Sequence, residues 1–374
     1  MVNNLVLYRK YRPQSFAEVV GQEHIVTTLT NSIKGSNIGH AYLFSGPRGS
    51  GKTTLARLFA KSINCLARTA EGEDKSSFEP CNKCGSCLEI MGSKSMDLIE
   101  IDAASHTGVD DIRQLIEGVK FAPVKSKYKI FIIDECHQLS KSAANALLKT
   151  LEEPPSHAIF LLATTESHKM IPTILSRCQK FDFKRLQVPE IIKKLEFISK
   201  KENIGFEDSA LSLIALNSRG SFRDAESLLD QCISFTGENS VIKTQDIKDL
   251  LGIVEAGQIA QFIDFLIAKN TKEAITFINL LCDNGIDLQE FAKTLVFYLR
   301  QSLLLKINPD FLDLKNSGLS SQELEKIKLQ TAAFSQKDLQ NALEIFIDAE
   351  NKIKYSAIPQ LPIELAIATL TQGA

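Results

Sequence analysis

The run Gly46-Pro47-Arg48-Gly49-Ser50-Gly51-Lys52-Thr53, with Thr54 behind it, fits the pattern G-x-x-x-x-G-K-[ST]. Glycines let such a loop fold tightly enough for successive N–H groups to face one phosphate. A helix opening at Lys52 adds the partial positive charge of its N-terminus. Lys52 supplies a point charge to the β/γ-phosphates of a nucleotide, and the Thr53 hydroxyl is a ligand for Mg²⁺. A second group, Asp134-Glu135-Cys136-His137, follows the apolar run Lys129–Ile133. An acidic residue at the carboxyl end of a parallel strand sits in the ligand crevice. Asp134 would hold Mg²⁺, directly or through water, and Glu135 would orient and deprotonate an attacking water. Together they read as a hydrolytic site, not a binding site alone. A third group is Cys65, Cys81, Cys84 and Cys87, spaced C-x15-C-x2-C-x2-C. Four thiolates with tight x2 spacing suit a tetrahedral Zn²⁺. The three close cysteines also begin like a ferredoxin run, although Met91-Gly92 stands where a fourth cysteine and a proline would complete it.

These groups need strands to carry them. Candidate strands are Ala41–Ser45, Leu98–Ile101, Lys129–Ile133, Ala158–Ala163 and Lys180–Phe183. Each is a short apolar run between helix-like stretches, the pattern of βαβ units and a parallel sheet. The phosphate loop follows the first strand and opens a helix running to about Ile63, which is the context that motif requires. After Pro189 the strand signal disappears. Ile191–Lys201, Ser209–Asn217, Phe222–Phe235 and Thr244–Leu251 read as short helices, and longer ones follow, including Leu288–Lys306 and Lys337–Lys354. The expected layout is an α/β domain over 1–184 with the cysteine insert at 65–87, a small helical domain over 185–251, and an all-α domain over 252–374.

Composition excludes several classes. The chain has 374 residues, a prior of two to three domains. With 44% hydrophobic residues and a net charge of −2 it is neither disordered nor collagen-like. No apolar run is long enough to span a membrane, and the N-terminus lacks a secretory pattern, so a cytoplasmic protein is expected. Residues 1–61 carry eight Lys and Arg against two Glu, a local basic surface able to attract phosphates.

The motifs also carry a resemblance. Leu7-Tyr8-Arg9-Lys10-Tyr11-Arg12-Pro13 and Val20-Gly21-Gln22 resemble the N-terminal signature of AAA+ clamp-loader ATPases. With Asp102-Ala103-Ala104-Ser105, the Asp134 box, Leu151-Glu152-Glu153-Pro154-Pro155 and Ser176-Arg177-Cys178, the order is closely similar to the bacterial gamma/tau family of clamp loaders. The resemblance runs from about Leu5 to Asp230. It implies a P-loop AAA+ domain with a zinc module in the insert, a helical lid and a helical collar that holds an oligomer together. It places Tyr11, Arg12, Pro13, Val19 and Val20 against adenine. It makes Thr165 the sensor of the γ-phosphate, Arg177 an arginine finger reaching the neighbouring subunit's ATP, and Arg223 the second sensor, tying the lid to nucleotide. An arginine suits both tasks, because its planar fork stays charged and spans two phosphate oxygens.

The implied partners are the delta, delta-prime and further gamma/tau subunits of a pentamer, a sliding clamp, and primed DNA held by its backbone. Lys141, Lys149 and Ser105-His106-Thr107 are candidate phosphate contacts. Two alternatives remain: a scaffold subunit that does not hydrolyse ATP, and another P-loop DNA motor such as a helicase or a strand-migration motor. The presence of Lys52, Thr53, Asp134 and Glu135 argues against the first. The absence of parallel strands for a second nucleotide-gripping domain argues against a helicase. Association with a DNA polymerase would not make the chain a nucleotidyltransferase, since its acidic pair serves ATP hydrolysis.

Overall fold

The computed structural model describes residues 5–69, 78–105, 107–236, 241–251, 256–308 and 321–372. His106, most of the stretch between Arg68 and Pro80, and the boundary expected at 251/252 involve residues outside that set. Five parallel strands form where the apolar runs predict them: β1 (Ala41–Ser45), β2 (Leu98–Asp102), β3 (Lys129–Asp134), β4 (Ala158–Thr164) and β5 (Gln179–Asp182). Their order is β2-β3-β4-β1-β5. Every residue of β1 and β4 is buried, as a strand covered on both faces must be.

The helices of the first part are α1 (Leu7–Lys10), α2 (Glu23–Lys34), α3 (Lys52–Ile63), α4 (Leu66–Thr69), α5 (Gly85–Met91), α6 (Val109–Val119), α7 (Lys141–Glu152), α8 (Pro172–Leu175), α9 (Val188–Glu202), α10 (Asp208–Asn217) and α11 (Phe222–Thr236). Alternation along the strands divides the core in two. Tyr42, Phe44, Ile130 and Ile132 face Ile25 and Leu29 of α2 and Leu55 and Phe59 of α3. Leu43, Phe131, Ile133 and Phe160 face Ile112 and Leu115 of α6 and Leu147 of α7. Each such side chain taken fully out of water contributes about 1.5–3 kcal/mol, which fixes both faces of the sheet against a one-residue slip.

That register aligns the carboxyl ends that carry the chemistry. Ser45 lies opposite Thr164 on one side and Asp182 on the other, and Asp102 lies opposite Asp134. The phosphate loop, the acidic pair and Thr165 therefore leave the sheet along one edge. One element departs from expectation. Gly205–Phe206 and Val241–Ile242 pair as a short parallel ladder, β6 and β7, where no strand signal was expected after Pro189. Two residues per strand are too few to create a readable period.

The chain divides into two compact units between Lys243 and Thr244. The second contains α12 (Thr244–Leu251), α13 (Ala256–Ile267), α14 (Thr271–Asp283), α15 (Leu288–Ile307), α16 (Ser321–Ala333), α17 (Gln336–Ile353) and α18 (Leu361–Gln372). Phe262, Phe291, Leu295 and Phe346 centre its core, with the Phe262 and Phe291 rings edge to face at 5.3 Å. A buried amide crosses it: Gln330 Nε2 donates to the Ala260 carbonyl at 2.7 Å and its Oε1 accepts from Tyr298.

Candidate active site

The phosphate loop is held by two contacts that tolerate no side chain. A Cβ on Gly49 (φ +72°) would lie 1.9 Å from Ser221 Oγ, and one on Gly46 (φ +145°) would lie 2.5 Å from the Phe183 carbonyl. Ser221 opens the turn into α11, and the N–H of Phe222 donates to Gly49 O at 3.2 Å. The start of α11 thus rests directly on the loop. Within the loop Lys52 Nζ bonds Gly46 O and Pro47 O, both at 2.8 Å, and is only 6% exposed. Burial pulls its pKa below the usual lysine value, while Glu135 and Asp134 oppose that shift. A phosphate entering here replaces two neutral carbonyl partners with an anion.

The Thr53 hydroxyl donates to Asp134 Oδ2 at 2.7 Å. These are the two residues expected to hold Mg²⁺, and their oxygens converge on one point beside the loop. Glu135 has a left-handed backbone (φ 46°, ψ 41°) that for a non-glycine costs on the order of 1–3 kcal/mol. That turn aims its carboxylate across β4, where Oε2 accepts from the Thr165 hydroxyl at 2.9 Å and from the Thr165 N–H at 3.3 Å. His137 is buried beside them, with Nδ1 at 2.9 Å from Thr164 Oγ1 and Nε2 at 3.2 Å from Glu166. In the group Asp134-Glu135-Cys136-His137 it is the bridge between the ends of β3 and β4.

A cavity of about 280 Å³ runs from the loop to the N-terminal segment. Arg48, Gly49, Ser50, Gly51, Lys52, Thr53, Thr54, Asp134 and Glu135 line it, together with Arg12, Pro13, Val19, Val20 and Arg223. Tyr11, expected against the base, does not line this cavity. Its ring turns to α9, edge-on to Phe197 at 6.3 Å, and its hydroxyl bonds Glu202, which also pairs with Lys10 at 2.6 Å. Tyr8, one turn earlier, lines the cavity instead, with the Arg223 guanidinium 5.0 Å from its ring centre. Gly46 and Pro47 shape the loop and hold Lys52 but do not line the cavity, and neither do Thr165 and Arg177. Arg177 is held in its own chain by Glu152 at 2.6 Å and by the Thr173 carbonyl at 2.7 Å. Lys141 and Lys149 are exposed on α7.

The sequence reading missed Arg9, Glu18, Lys194 and Glu226 in the cavity wall. Glu226 had a signal: it lies three residues beyond Arg223, on the same helix face. It is 6% exposed, and burial pushes its pKa up to about 7, against the lowering influence of Lys194 and Arg12. The folded value thus lies above the ordinary 4.5. The protonated form favours folding, and that contribution is lost as pH rises from about 4.5 to about 7. Glu226→Gln is expected to gain about 1–3 kcal/mol over the parent at pH 8 and little at pH 4.5. Denaturant unfolding at the two pH values measures it, and an equal difference at both would contradict the assignment.

The four cysteine sulfurs lie within 4.8 Å of one another. Cys81 and Cys87 sulfurs are 3.9 Å apart, far from the roughly 2.0 Å of a disulfide and near the ~3.8 Å edge of a zinc–sulfur tetrahedron. Backbone N–H groups of Cys81, Cys84 and Cys87 point at Cys65, Cys81 and Cys84 sulfurs at 3.3–3.5 Å. Burial raises the Cys84 thiol, but the N–H groups of Cys87 and Leu66 outweigh it and bring it down to about 6. The donor set fits a structural Zn²⁺. Among the described residues the other thiols join no such four-sulfur group: Cys136 and Cys232 are buried, and Cys178 and Cys282 half-buried.

A phosphate loop on β1, an acidic pair on β3 and a helical lid whose arginine enters the cavity define a P-loop nucleotide-binding protein of the AAA+ class. Three family models match in sequence: DNA polymerase III delta subunit over residues 21–187, clamp loader subunit ATPase lid domain over 190–238, and subunits gamma and tau domain III over 242–373. The DNA polymerase III subunit gamma of Buchnera aphidicola is 39% identical over 87% of this chain and 86% of its own length. The chain belongs to the DNA polymerase III gamma/tau family. The subunit tau of Bacillus subtilis is 44% identical over 98% of this chain, which spans 63% of that relative's length. The solved Thermotoga maritima RuvB Holliday junction branch migration motor aligns at 19% identity and a TM-score of 0.46, over 74% of this chain and 86% of its own, a likeness that carries no functional conclusion.

Proposed function

We propose that this chain is the ATP-hydrolysing motor subunit of a bacterial clamp loader, working in the cytoplasm with delta, delta-prime and further gamma/tau subunits in a pentamer. The observation that carries this reading is the Thr53–Asp134–Glu135–Thr165 chain of contacts beside a lysine-bearing phosphate loop. A scaffold subunit would have no use for it. Lys52 exchanges its loop carbonyls for the β/γ-phosphates. Glu135, positioned by Thr165, takes the proton of the attacking water. Thr53 and Asp134 would hold Mg²⁺, which when bound neutralises charge on the transferring phosphoryl group. Arg223 ties lid to nucleotide, and Arg177 reaches the neighbouring subunit's site. Cys65, Cys81, Cys84 and Cys87 would hold a structural Zn²⁺.

In this reading residues 1–184 bind ATP, 185–251 form the lid and 252–374 the collar. ATP binding orders the ring so that it grips and opens the sliding clamp, and primed DNA, held by its backbone near Lys141 and Lys149, triggers hydrolysis and release. The test is steady-state ATP hydrolysis by the chain with its partner subunits, with and without clamp and primed DNA. Strong stimulation by clamp and primer together is expected. A low rate indifferent to both would move the chain to a scaffold or to another P-loop machine.

A further inference from the structure

The residues around the cysteine cluster also hold the wall of the nucleotide cavity. Glu79, two residues before Cys81, reaches back to the N-terminal segment, where Oε2 accepts from the Phe16 N–H at 2.8 Å and Oε1 from the Ala17 N–H at 3.0 Å. Those groups open a single 3-10 turn, Phe16–Glu18, whose first donors have no partner within the turn. Asn82, directly after Cys81, donates to the Gln14 carbonyl at 3.1 Å. Lys61, on the last turn of α3 before Cys65, donates to the same carbonyl at 3.0 Å and to Gln14 Oε1 at 2.9 Å, and is 3% exposed. Phe78 packs its ring against Phe16 at 6.2 Å, and its carbonyl accepts from Ser62. The residues flanking Gln14–Ala17 on both sides, Arg12 and Pro13 before and Glu18, Val19 and Val20 after, line the cavity.

We propose that the four-cysteine module is a clasp on the nucleotide pocket: through Glu79, Asn82 and Lys61 it fixes Gln14–Ala17, and so sets the affinity for nucleotide. The inference rests on the reading of the cavity as a nucleotide site. Glu79 is a positioning residue, since it does not line the cavity. A wall already ordered by its neighbours loses little freedom when ligand binds, whereas a released wall must be ordered by the ligand itself.

The test is calorimetric titration of the full chain with Mg·ADP, alongside its zinc content and thermal unfolding. Glu79→Ala is expected to weaken ADP binding about tenfold and raise KM for ATP in proportion. Its kcat and zinc content are expected to match the parent, and its unfolding temperature to fall by only about a few degrees, the cost of the two lost N–H bonds. Glu79→Gln falls between, because an amide oxygen can still accept one of the two N–H bonds. In a second arm, the parent chain is stripped of metal with a mercurial reagent and chelator, freed of mercury by thiol, and then reloaded with Zn²⁺. ADP affinity is expected to fall and return, while stripping Glu79→Ala lowers it by less than it lowers the parent, since only the Asn82 link to Gln14 is left to lose. A Glu79→Ala chain that binds ADP like the parent, or a parent indifferent to Zn²⁺, overturns the clasp and leaves the nucleotide site standing. A parent that binds no ADP overturns both.

Discussion

Glu135→Gln is expected to lower ATP turnover by about 10²–10⁴-fold while leaving ATP affinity within about twofold, because an amide cannot accept the proton of the attacking water. The exchange keeps the shape of the side chain. Its oxygen can still accept from the Thr165 hydroxyl and N–H, the two contacts that position Glu135 now. The left-handed turn at Glu135 belongs to the backbone and is unaffected. Lys52, Thr53 and Asp134, to which the proposed function assigns the phosphates and the metal, are untouched. Single-turnover hydrolysis beside an equilibrium binding titration separates the two effects. Turnover above about a tenth of the parent rate would assign the base to another group.

The strands and the phosphate loop were readable because their signals are local. Leu43 and Phe131 face one way and Tyr42 and Ile132 the other, and that alternation with its apolar flanks is written in consecutive residues. Sheet order is not local. Thr53 and Asp134 are 81 positions apart and meet only because β4 separates β1 from β3 and the strand ends stay level. Four of the five N-terminal residues that the resemblance singled out, Arg12, Pro13, Val19 and Val20, line the cavity, and Tyr11 does not. Tyr11 ends the short α1 and turns to Glu202, whereas Tyr8 lines the cavity. Lys194 and Glu79 had no signal at all. Each looks like an ordinary charged surface residue, and only chain segments brought from elsewhere give it something to hold.

The arginine finger assignment makes the other large prediction, Arg177→Ala, with an expected loss of about 10³–10⁵-fold in turnover by the assembled subunits. Arg177 is absent from the wall of its own chain's cavity, although Arg12, Arg48 and Arg223 are all there. It is 31% exposed, its Nη groups are taken by Glu152, Ser176 and Thr173, and its Nε is buried without a partner. Removing the Glu152 pair costs at most about 1 kcal/mol at such exposure. A thousandfold loss corresponds to about 4 kcal/mol, so broken local contacts are too small to account for it. Mixing decides whose site the arginine serves. An assembly of Arg177→Ala chains has intact bases and no finger; one of Glu135→Gln chains has fingers and no base. If the finger acts on a neighbour, mixed assemblies contain some sites with both groups, and turnover returns above that of either variant alone. If Arg177 served its own chain's nucleotide, no mixture would hold a complete site, and the mixed rate would stay at the average of the two.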